Sequence, residues 1–260
     1  MTKQLTKQQI WEIALAQSAI DLACDAADFQ AEDNRVVLSK PHPGARKYLE
    51  LPFACHLASY GGNIVASVEA GVAALAADYI NRYPVEHCFE TPNLHALDRG
   101  LAAHGLQVCF MAEYFLPEPA LLQPLPCPFE MKLLGPADFA GLYQPQWSNA
   151  LCEKRKELDV LGVGAYHQGR LIGLAGCSAD CDAMWQIGID VLPAYRRRGV
   201  AAALTSRLAL ACLERGKVPF YCAAWSNLRS VRNAIKCGFR PAWVELTAKS
   251  TEFVEKQNKA

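Results

Sequence analysis

Hydrophobic residues recur along this chain with two different periods, and the periods predict which segments are helices and which are strands. Apolar residues spaced three or four positions apart predict helices over 7–29, 64–81, 92–104, 200–213 and 227–236, with shorter helical segments at 136–143 and 145–159. Alternating or short apolar runs predict strands over 84–90, 108–116, 129–134, 160–167, 170–177, 186–191, 218–224 and 239–247. The charged tail 249–260 is predicted to fray.

Prolines concentrate in one short segment between the two halves of the chain. Five of them fall in the twelve residues 117–128, which are Pro117, Pro119, Pro124, Pro126 and Pro128. Such a density prevents regular structure and is typical of an extended linker. We therefore expect an α/β (α+β) protein with a smaller α/β domain over 1–126. A second domain over 127–260 would carry a mixed sheet with helices on both faces.

The segment 186–213 carries the clearest chemical signal. A strand ends at Pro193, three arginines and Gly199 follow, and an alanine-rich helix begins at Val200. The first turn of a helix presents backbone N–H groups without intrahelical partners, together with partial positive charge. Glycine allows an anion to approach the backbone closely. The segment therefore predicts a phosphate site, although neither the GxxxxGK[ST] nor the GxGxxG pattern is present.

Composition and charge limit the classes of partner. Hydrophobic residues form 52% of the 260 residues and charged residues 20%, and the formal net charge is zero. A neutral chain is not typical of a nucleic-acid or membrane-surface binder. No apolar run is long enough to span a membrane, and no signal-like segment opens the chain, so a cytoplasmic location is expected. The eleven cysteines are scattered, which predicts reduced core thiols and no metal site.

Two separated motifs resemble one known family. The string Arg196-Arg197-Arg198-Gly199-Val200-Ala201, preceded by Val191-Leu192-Pro193, resembles the pyrophosphate loop of the GNAT superfamily of acyl-CoA N-acyltransferases. The segment from Asn227 to Gly238-Phe239 is similar to the later N-x-x-A…G-F motif of that family. The predicted order of elements over 127–248 is also the GNAT order, so the resemblance covers the whole second half.

The resemblance implies acetyl-CoA as cosubstrate and assigns residues to it. In that family two neighbouring strands separate, and the pantetheine arm lies between them. Carried over, backbone groups of Ile189 and Val191 would pair with the pantetheine, and Asn227 would reach the same arm. Backbone N–H groups of the loop would hold the pyrophosphate; these belong to Arg196, Arg197, Arg198, Gly199, Val200 and Ala201. The alternative for Asn227 is a residue that caps its own helix.

The first half has two readings. The chain resembles a bacterial GNAT subgroup with an extra N-terminal half. Within that half, 71–74 (GVAA) echoes 199–202, and Asn93 followed by Gly105 echoes the later Asn–Gly pair. A degenerate GNAT-like half without a basic loop is one reading, and an unrelated α/β domain is the other.

The residues for acid–base chemistry are not where the resemblance places them. The usual glutamate position falls at Trp185 and the usual tyrosine position at Ala234. Asp190 is the remaining candidate for the base, because burial on the strand would raise the pKa of its carboxyl; a structural aspartate is the alternative. Further candidates with more ordinary explanations are Glu153, Glu157, Tyr221, Cys222, Trp185, Trp225 and Trp243.

Two functions fit this sequence. The first is an acetyl-CoA-dependent N-acetyltransferase that acts on the amine of a small-molecule or amino-acid-like acceptor. The second is a catalytically weak acyl-CoA-binding sensor or interaction module, and a nucleotide binder that uses the same loop is a third reading. No nucleic-acid or membrane partner is expected, and a homodimer is one assembly that the sequence allows.

Overall fold

The computed structural model describes residues 5–259, which form two compact units. Among these residues, the C-terminal unit contains 115–241 together with 5–14, and the N-terminal unit contains 15–114 and 242–259. Each unit is α/β, as expected. The prediction of two domains that fold independently, 1–126 and 127–260, stays a prediction.

The helices and strands have the following bounds. The helices are α1 (Lys7–Leu22), α2 (Ala73–Arg82), α3 (Thr91–Ala102), α4 (Val200–Glu214), α5 (Leu228–Lys236) and α6 (Thr251–Asn258). The strands are β1 (Arg35–Leu38), β2 (Cys55–Ser59), β3 (Val65–Val68), β4 (Leu106–Pro117), β5 (Glu130–Leu134), β6 (Asp159–His167), β7 (Arg170–Ser178), β8 (Met184–Val191), β9 (Val218–Ala223) and β10 (Phe239–Ser250). Among the described helices, none is long and apolar enough to cross a bilayer.

The C-terminal unit is built on a mixed sheet whose strands follow the order β9-β8-β7-β6-β5. The pairs from β5 to β8 are antiparallel, whereas β8 and β9 run parallel. Helix α4 covers one face and buries Val200, Leu204 and Leu208. A second apolar cluster, which includes Phe139, Trp147 and Leu174, completes the core of this unit.

The N-terminal unit has its own sheet, in the order β1-β3-β2-β10-β4. Strands β1 and β3 are parallel, and β2 is antiparallel to both of its neighbours. Helices α2 and α3 pack on this sheet through a buried cluster that includes Leu57, Ile80, Leu97, Leu101 and Leu246. Each unit therefore buries a hydrophobic core of its own.

Several predicted elements of the N-terminal unit are wrong. The segment 64–81 is a strand, β3, followed by helix α2, because Val65–Val68 is buried on both faces between two strands. A strand buried on both faces has no period that separates it from a buried helix. The predicted strand 84–90 is a 3₁₀ turn, Glu86–Phe89, in which the N–H groups of His87 and Cys88 donate to Pro84.

Other predicted helices differ in extent. The first helix ends at Leu22 and a 3₁₀ turn follows at Ala26–Gln30. The segment 136–143 forms only a 3₁₀ turn, and 145–159 holds two of them, Pro145–Trp147 and Glu153–Leu158. The tail does not fray as predicted, because Ser250 Oγ accepts the N–H of Phe253 and caps α6.

Candidate functional site

The parallel strands β8 and β9 separate after three residue pairs. They pair at Met184 with Val218, Trp185 with Pro219 and Gln186 with Phe220. Strand β8 then continues to Val191 and β9 to Ala223, with no further pairing between them in the described structure. A gap therefore opens beside Ile187–Val191. An extended ligand can use the free backbone edge of a strand in such a gap.

The loop after β8 turns its backbone into the start of helix α4. A 3₁₀ turn over Pro193–Tyr195 is followed by Arg197 at φ +61° and Gly199 at φ +82°. Both values lie in the left-handed region, which glycine enters without a Cβ clash. A Cβ on Gly199 would meet only the Pro126 carbonyl oxygen, 3.9 Å away. The loop therefore fits an anion held by backbone N–H groups at the α4 N-terminus.

The three arginines of the loop have different surroundings. Arg196 donates from Nε to the Val191 carbonyl at 3.0 Å and so holds the end of β8. The guanidinium of Arg198 lies 5.1 Å from the ring centre of Phe129 and 5.9 Å from that of Tyr195. Within residues 5–259, no hydrogen bond or ion pair holds the side chain of Arg197. Arg197 thus remains available to a ligand, and so does Arg198, whose side chain makes only these ring contacts in the described chain.

An aromatic cluster beside the loop was not predicted. The hydroxyl of Tyr195 lies 3.0 Å from His167 Nδ1, and Phe129 packs against both rings. His167 is half-buried. Strand β6, the start of β5 and the loop bring these side chains together. No signal in the local sequence links them, because they are up to 66 residues apart.

Asp190 is a hydrogen-bonded anchor. Its carboxylate accepts the N–H of Asn149 at 2.9 Å, the Asn149 side-chain amide at 2.7 Å and the N–H of Ala150 at 3.0 Å. Both carboxylate oxygens are thereby engaged. This is the arrangement of the structural alternative, in which Asp190 fixes the segment 147–151 on the sheet. Its role as the base stays a prediction.

Two glycines allow that segment to lie directly on the strands. A Cβ on Gly188 would come within 1.7 Å of the Asn149 carbonyl oxygen, and one on Gly176 within 2.1 Å of that of Ala150. Gly188, Gln186 and Asp190 occupy alternate positions of β8 and therefore share one face. The segment 145–158 thus forms a wall above that face, beside the gap.

The point where the strands separate is lined by Gln186 and Cys222. The Gln186 side-chain amide donates to Cys222 Sγ at 3.0 Å, across the start of the gap. Next to it, the hydroxyl of Tyr221 pairs with Ser230 Oγ at 2.8 Å, and burial raises the pKa of Tyr221 above its usual value. The two positions of the family's usual acid and base are occupied by half-buried Trp185 and fully buried Ala234.

The remaining candidates are not gathered at the gap. Glu153 is 71% exposed in its side chain and pairs with Lys156 at 3.4 Å, and Glu157 is exposed. Trp225 is exposed, whereas Trp243 is buried in the N-terminal unit between Tyr60 and Tyr114. The three tryptophans therefore do not form one cluster.

Asn227 caps helix α5. Its side-chain oxygen accepts the N–H of Ser230 at 3.3 Å, which is the structural alternative for this residue. The amide nitrogen of the same side chain forms no hydrogen bond within the described chain, and so it can still donate to a ligand. The eleven cysteines are all free thiols. No group of three or more His, Cys, Asp or Glu side chains in the part described could hold a metal ion.

The C-terminal unit thus combines a mixed sheet that has two separating parallel strands with a basic left-handed loop and a helix N-terminus. The family model described as GNAT acetyltransferase matches residues 116–242. This part of the chain, just under half of it, is therefore similar to the GNAT superfamily.

Solved structures with similar folds carry related descriptions. A putative GNAT-family acetyltransferase from Novosphingobium aromaticivorans is 22% identical, with a TM-score of 0.42, over 55% of this chain and 66% of the other, just under two thirds of its length. A GCN5-related N-acetyltransferase-like protein from Streptococcus suis is 24% identical, with a TM-score of 0.44, over 61% and 69%. An aminoglycoside N-acetyltransferase solved with CoA is 21% identical, with a TM-score of 0.35, over 46% and 92%. No curated protein matches the chain.

Proposed function

We propose that this protein transfers the acetyl group of acetyl-CoA to the amine of a small-molecule or amino-acid-like acceptor. One observation carries the proposal: β8 and β9 separate directly before a loop that enters helix α4 through left-handed Gly199. An extended arm that ends in a pyrophosphate has the shape of this combined site. The arm would lie in the gap and the pyrophosphate at the α4 N-terminus.

The residues of the site divide the binding of acetyl-CoA among them. The backbone N–H groups of 197–201 would hold the pyrophosphate, and the guanidinium of Arg197 would balance its charge. The N–H of Arg196, which was also predicted to bind it, already donates to the Pro193 carbonyl at 3.3 Å. The edges of Ile189 and Val191 would pair with the pantetheine amides, although the Val191 carbonyl already accepts Arg196 Nε. The Asn227 amide nitrogen would donate to the same arm.

The chemistry that acetyl-CoA supplies is an activated acetyl group on a thioester. The chain must place an amine next to that group and remove a proton from it, because an ammonium has no free electron pair. The wall 145–158 and the mouth of the gap at Gln186 and Cys222 are the surfaces beside which the acceptor would bind. Nothing in these residues selects a particular amine.

Calorimetric titration with acetyl-CoA tests the site through Gly199→Glu. The substitution adds a side chain at positive φ and a negative charge where the pyrophosphate is expected, so we expect the Kd to rise roughly tenfold or more. Gly216→Glu is a matched control, because Gly216 lies after the other end of α4 at φ +70° with nothing within 4 Å of its Cβ position. Equal affinity of the wild type and Gly199→Glu for acetyl-CoA would show that acetyl-CoA does not bind at this loop.

Release of free thiol across a panel of amines then tests the reaction. Turnover by the wild-type protein supports acetyl transfer. Tight binding of acetyl-CoA without turnover of any amine would contradict acetyl transfer and favour the alternative function, an acyl-CoA-binding sensor. Displacement of acetyl-CoA by ATP at similar affinity would instead indicate a nucleotide site.

A further inference from the structure

Two carboxylates of the C-terminal unit lie buried outside the gap. Asp159 is 2% exposed and Asp180 is fully buried. Arg155 pairs with Asp180, with 3.0 Å between Nη1 and Oδ1. Acyl transfer to an ammonium needs a proton acceptor, and Trp185 and Ala234 cannot serve. Asp159 and Asp180 are buried carboxylates of the same unit that can accept a proton.

The strand register connects Asp159 to the gap. Asp159, the first residue of β6, pairs with Ser178 on β7, and Ser178 pairs with Gln186 on β8. Directly paired residues point to the same face, with Cβ atoms about 4.5–5.5 Å apart. The register shifts between Asp159 and Leu161, so for Asp159 the shared face rests on its contact with the wall as well as on the pairing. Gln186 is also the last residue of β8 that pairs with β9. The three side chains thus form a row that ends where the strands separate.

The row lies on the face that is covered by the wall 145–158. The N–H of Cys152, in this wall, donates to Asp159 Oδ2 at 2.9 Å. Gly176 and Gly188, each two residues along from Ser178 and Gln186, lie beneath the backbone of 149–150. Asp159 and the mouth of the gap therefore share one side of the sheet.

Ser178 is placed to pass a proton along this row. Its Oγ is buried and has no hydrogen-bond partner in residues 5–259. A hydroxyl can donate to one group while it accepts from another. The structure has no hydrogen bond between Ser178 and Asp159. The relay therefore requires the Ser178 hydroxyl to rotate, so that it donates to the Asp159 carboxylate and accepts from a water or an amine at Gln186.

The surroundings of Asp159 suit a proton acceptor near neutral pH. Burial raises the pKa of Asp159 to about 6, while the Cys152 N–H, the Tyr143 hydroxyl and the charge of Arg155 act to lower it, and Asp180 raises it further. The buried thiol of Cys177 on β7 also interacts electrostatically with Asp159, although it lies on the opposite face of the sheet, against Cys212 of α4. A carboxylate with such a pKa is ionised at pH 7 and takes up a proton readily.

We propose that Asp159 accepts the proton released by the acceptor ammonium, delivered through the Ser178 hydroxyl. The inference rests on the proposed function. The ammonium gives a proton to Ser178, directly or through one water, as Ser178 gives its own to Asp159. The neutral nitrogen then bonds to the carbonyl carbon while the C–S bond breaks and its electron pair stays on sulfur. The remaining surplus proton on nitrogen passes to the thiolate, and Asp159 later returns its proton to water.

Kinetics over a range of pH separate this role from a structural one. In the wild type, kcat/KM should fall below about pH 6, where Asp159 becomes protonated; this fall is the acid limb of the pH–rate profile. We expect Asp159→Asn to lower kcat/KM by about 100-fold or more and to abolish the acid limb. Asp180→Asn should shift that limb to lower pH, because a negative neighbour of Asp159 is lost. Ser178→Ala should reduce kcat with the limb unmoved and the KM for acetyl-CoA unchanged. Exposed Asp182→Asn is the control for charge alone.

A measurement without turnover completes the test. In a ¹³C carboxyl titration of the protein without acetyl-CoA, the signal absent from Asp159→Asn should titrate near pH 6. The inference about Asp159 would be overturned, and the proposed function kept, by three results together. The wild type turns over, Asp180→Asn leaves the acid limb unmoved, and Ser178→Ala leaves kcat unchanged. These two variants decide the matter even if Asp159→Asn does not fold. Absence of any wild-type turnover would overturn the proposed function and this inference together.

Discussion

Asp190 lies one residue from the end of β8, and it joins that strand to the wall of the site. Its carboxylate takes three hydrogen bonds from Asn149 and Ala150, two of them from backbone N–H groups. Hydrogen bonds to a charged acceptor are stronger than those between neutral groups. A side chain of this kind sets the position of the wall, and hence the width of the space beside the gap.

Asp190→Asn is expected to destabilise the protein by roughly 1–3 kcal/mol, because an amide can accept fewer of these hydrogen bonds and is uncharged. The midpoint of urea unfolding measures this loss against Asp182→Asn. The acid limb of the pH–rate profile should remain in the Asp190 variant. If the limb disappears while stability is unchanged, Asp190 is the base and not an anchor.

At the scale of elements, the wall 145–158 lies across two strands, and each strand has a glycine where the wall crosses it. Gly188 and Gly176 are paired neighbours on β8 and β7. Their missing side chains leave room for the carbonyls of Asn149 and Ala150. The position of the wall therefore depends on the missing Cβ atoms of these two glycines as well as on the hydrogen bonds of Asp190.

Gly188→Ala should therefore displace the wall. A methyl group 1.7 Å from a backbone oxygen cannot be accommodated without movement, and overpacking of this kind costs roughly 1–3 kcal/mol or more. We expect a lower unfolding midpoint and a raised KM for the amine. Gly141→Ala is the matched control, since nothing lies within 4 Å of its Cβ position. Equal stability of the two variants would show that the wall does not rest on β8.

At the scale of the whole molecule, the N-terminal unit contains a buried ionic cluster that no apolar pattern predicts. Arg46 is 1% exposed; its Nε lies 3.2 Å from Asp21 Oδ2 and its Nη1 3.4 Å from Glu245 Oε1. His56 Nε2 lies 3.5 Å from the other oxygen of Glu245, and the Trp243 indole N–H donates to Glu245 at 2.7 Å. These residues come from α1, the loop after β1, β2 and β10.

The cluster should make stability depend on pH in the acid range. Burial acts to raise the pKa of Glu245, but hydrogen bonding by His56, the charges of His56 and Arg46 and the Trp243 N–H bring it down to about 2. A lowered folded-state pKa gives stability that is complete above the unfolded value of 4.5 and is lost as the pH falls from there towards 2. The contribution of this one group is roughly 3 kcal/mol. Asp21, whose pKa burial raises, acts in the opposite direction.

Glu245→Gln should therefore unfold more easily at pH 7 and lose less stability between pH 4.5 and 2 than the wild type. Chemical unfolding at a series of pH values measures both effects, with exposed Glu252→Gln as the control. Parallel curves for the wild type and Glu245→Gln would show that the Glu245 pKa is not lowered by folding.

The sequence by itself determined the helix that follows the arginine loop and the strands around it. The helix starts at Val200, and the strands of the C-terminal unit follow the predicted order. These features depend on backbone preferences and periods within a few residues, so they can be read locally. The family resemblance rested on the same local strings and is confirmed by the match over 116–242.

Only the tertiary structure decided what depends on partners far along the chain. Strand β3 could not be told from a helix, because its burial on both faces comes from β1 and β2. The engagement of Asp190, the row from Asp159 through Ser178 to Gln186 and the cluster around Arg46 follow from strand register and packing. Register fixes which side chains share a face, and a shift by one residue would place each on the other side. For that reason the helix and strands around the loop could be predicted from sequence, whereas the partners of Asp159, Ser178 and Asp190 could not.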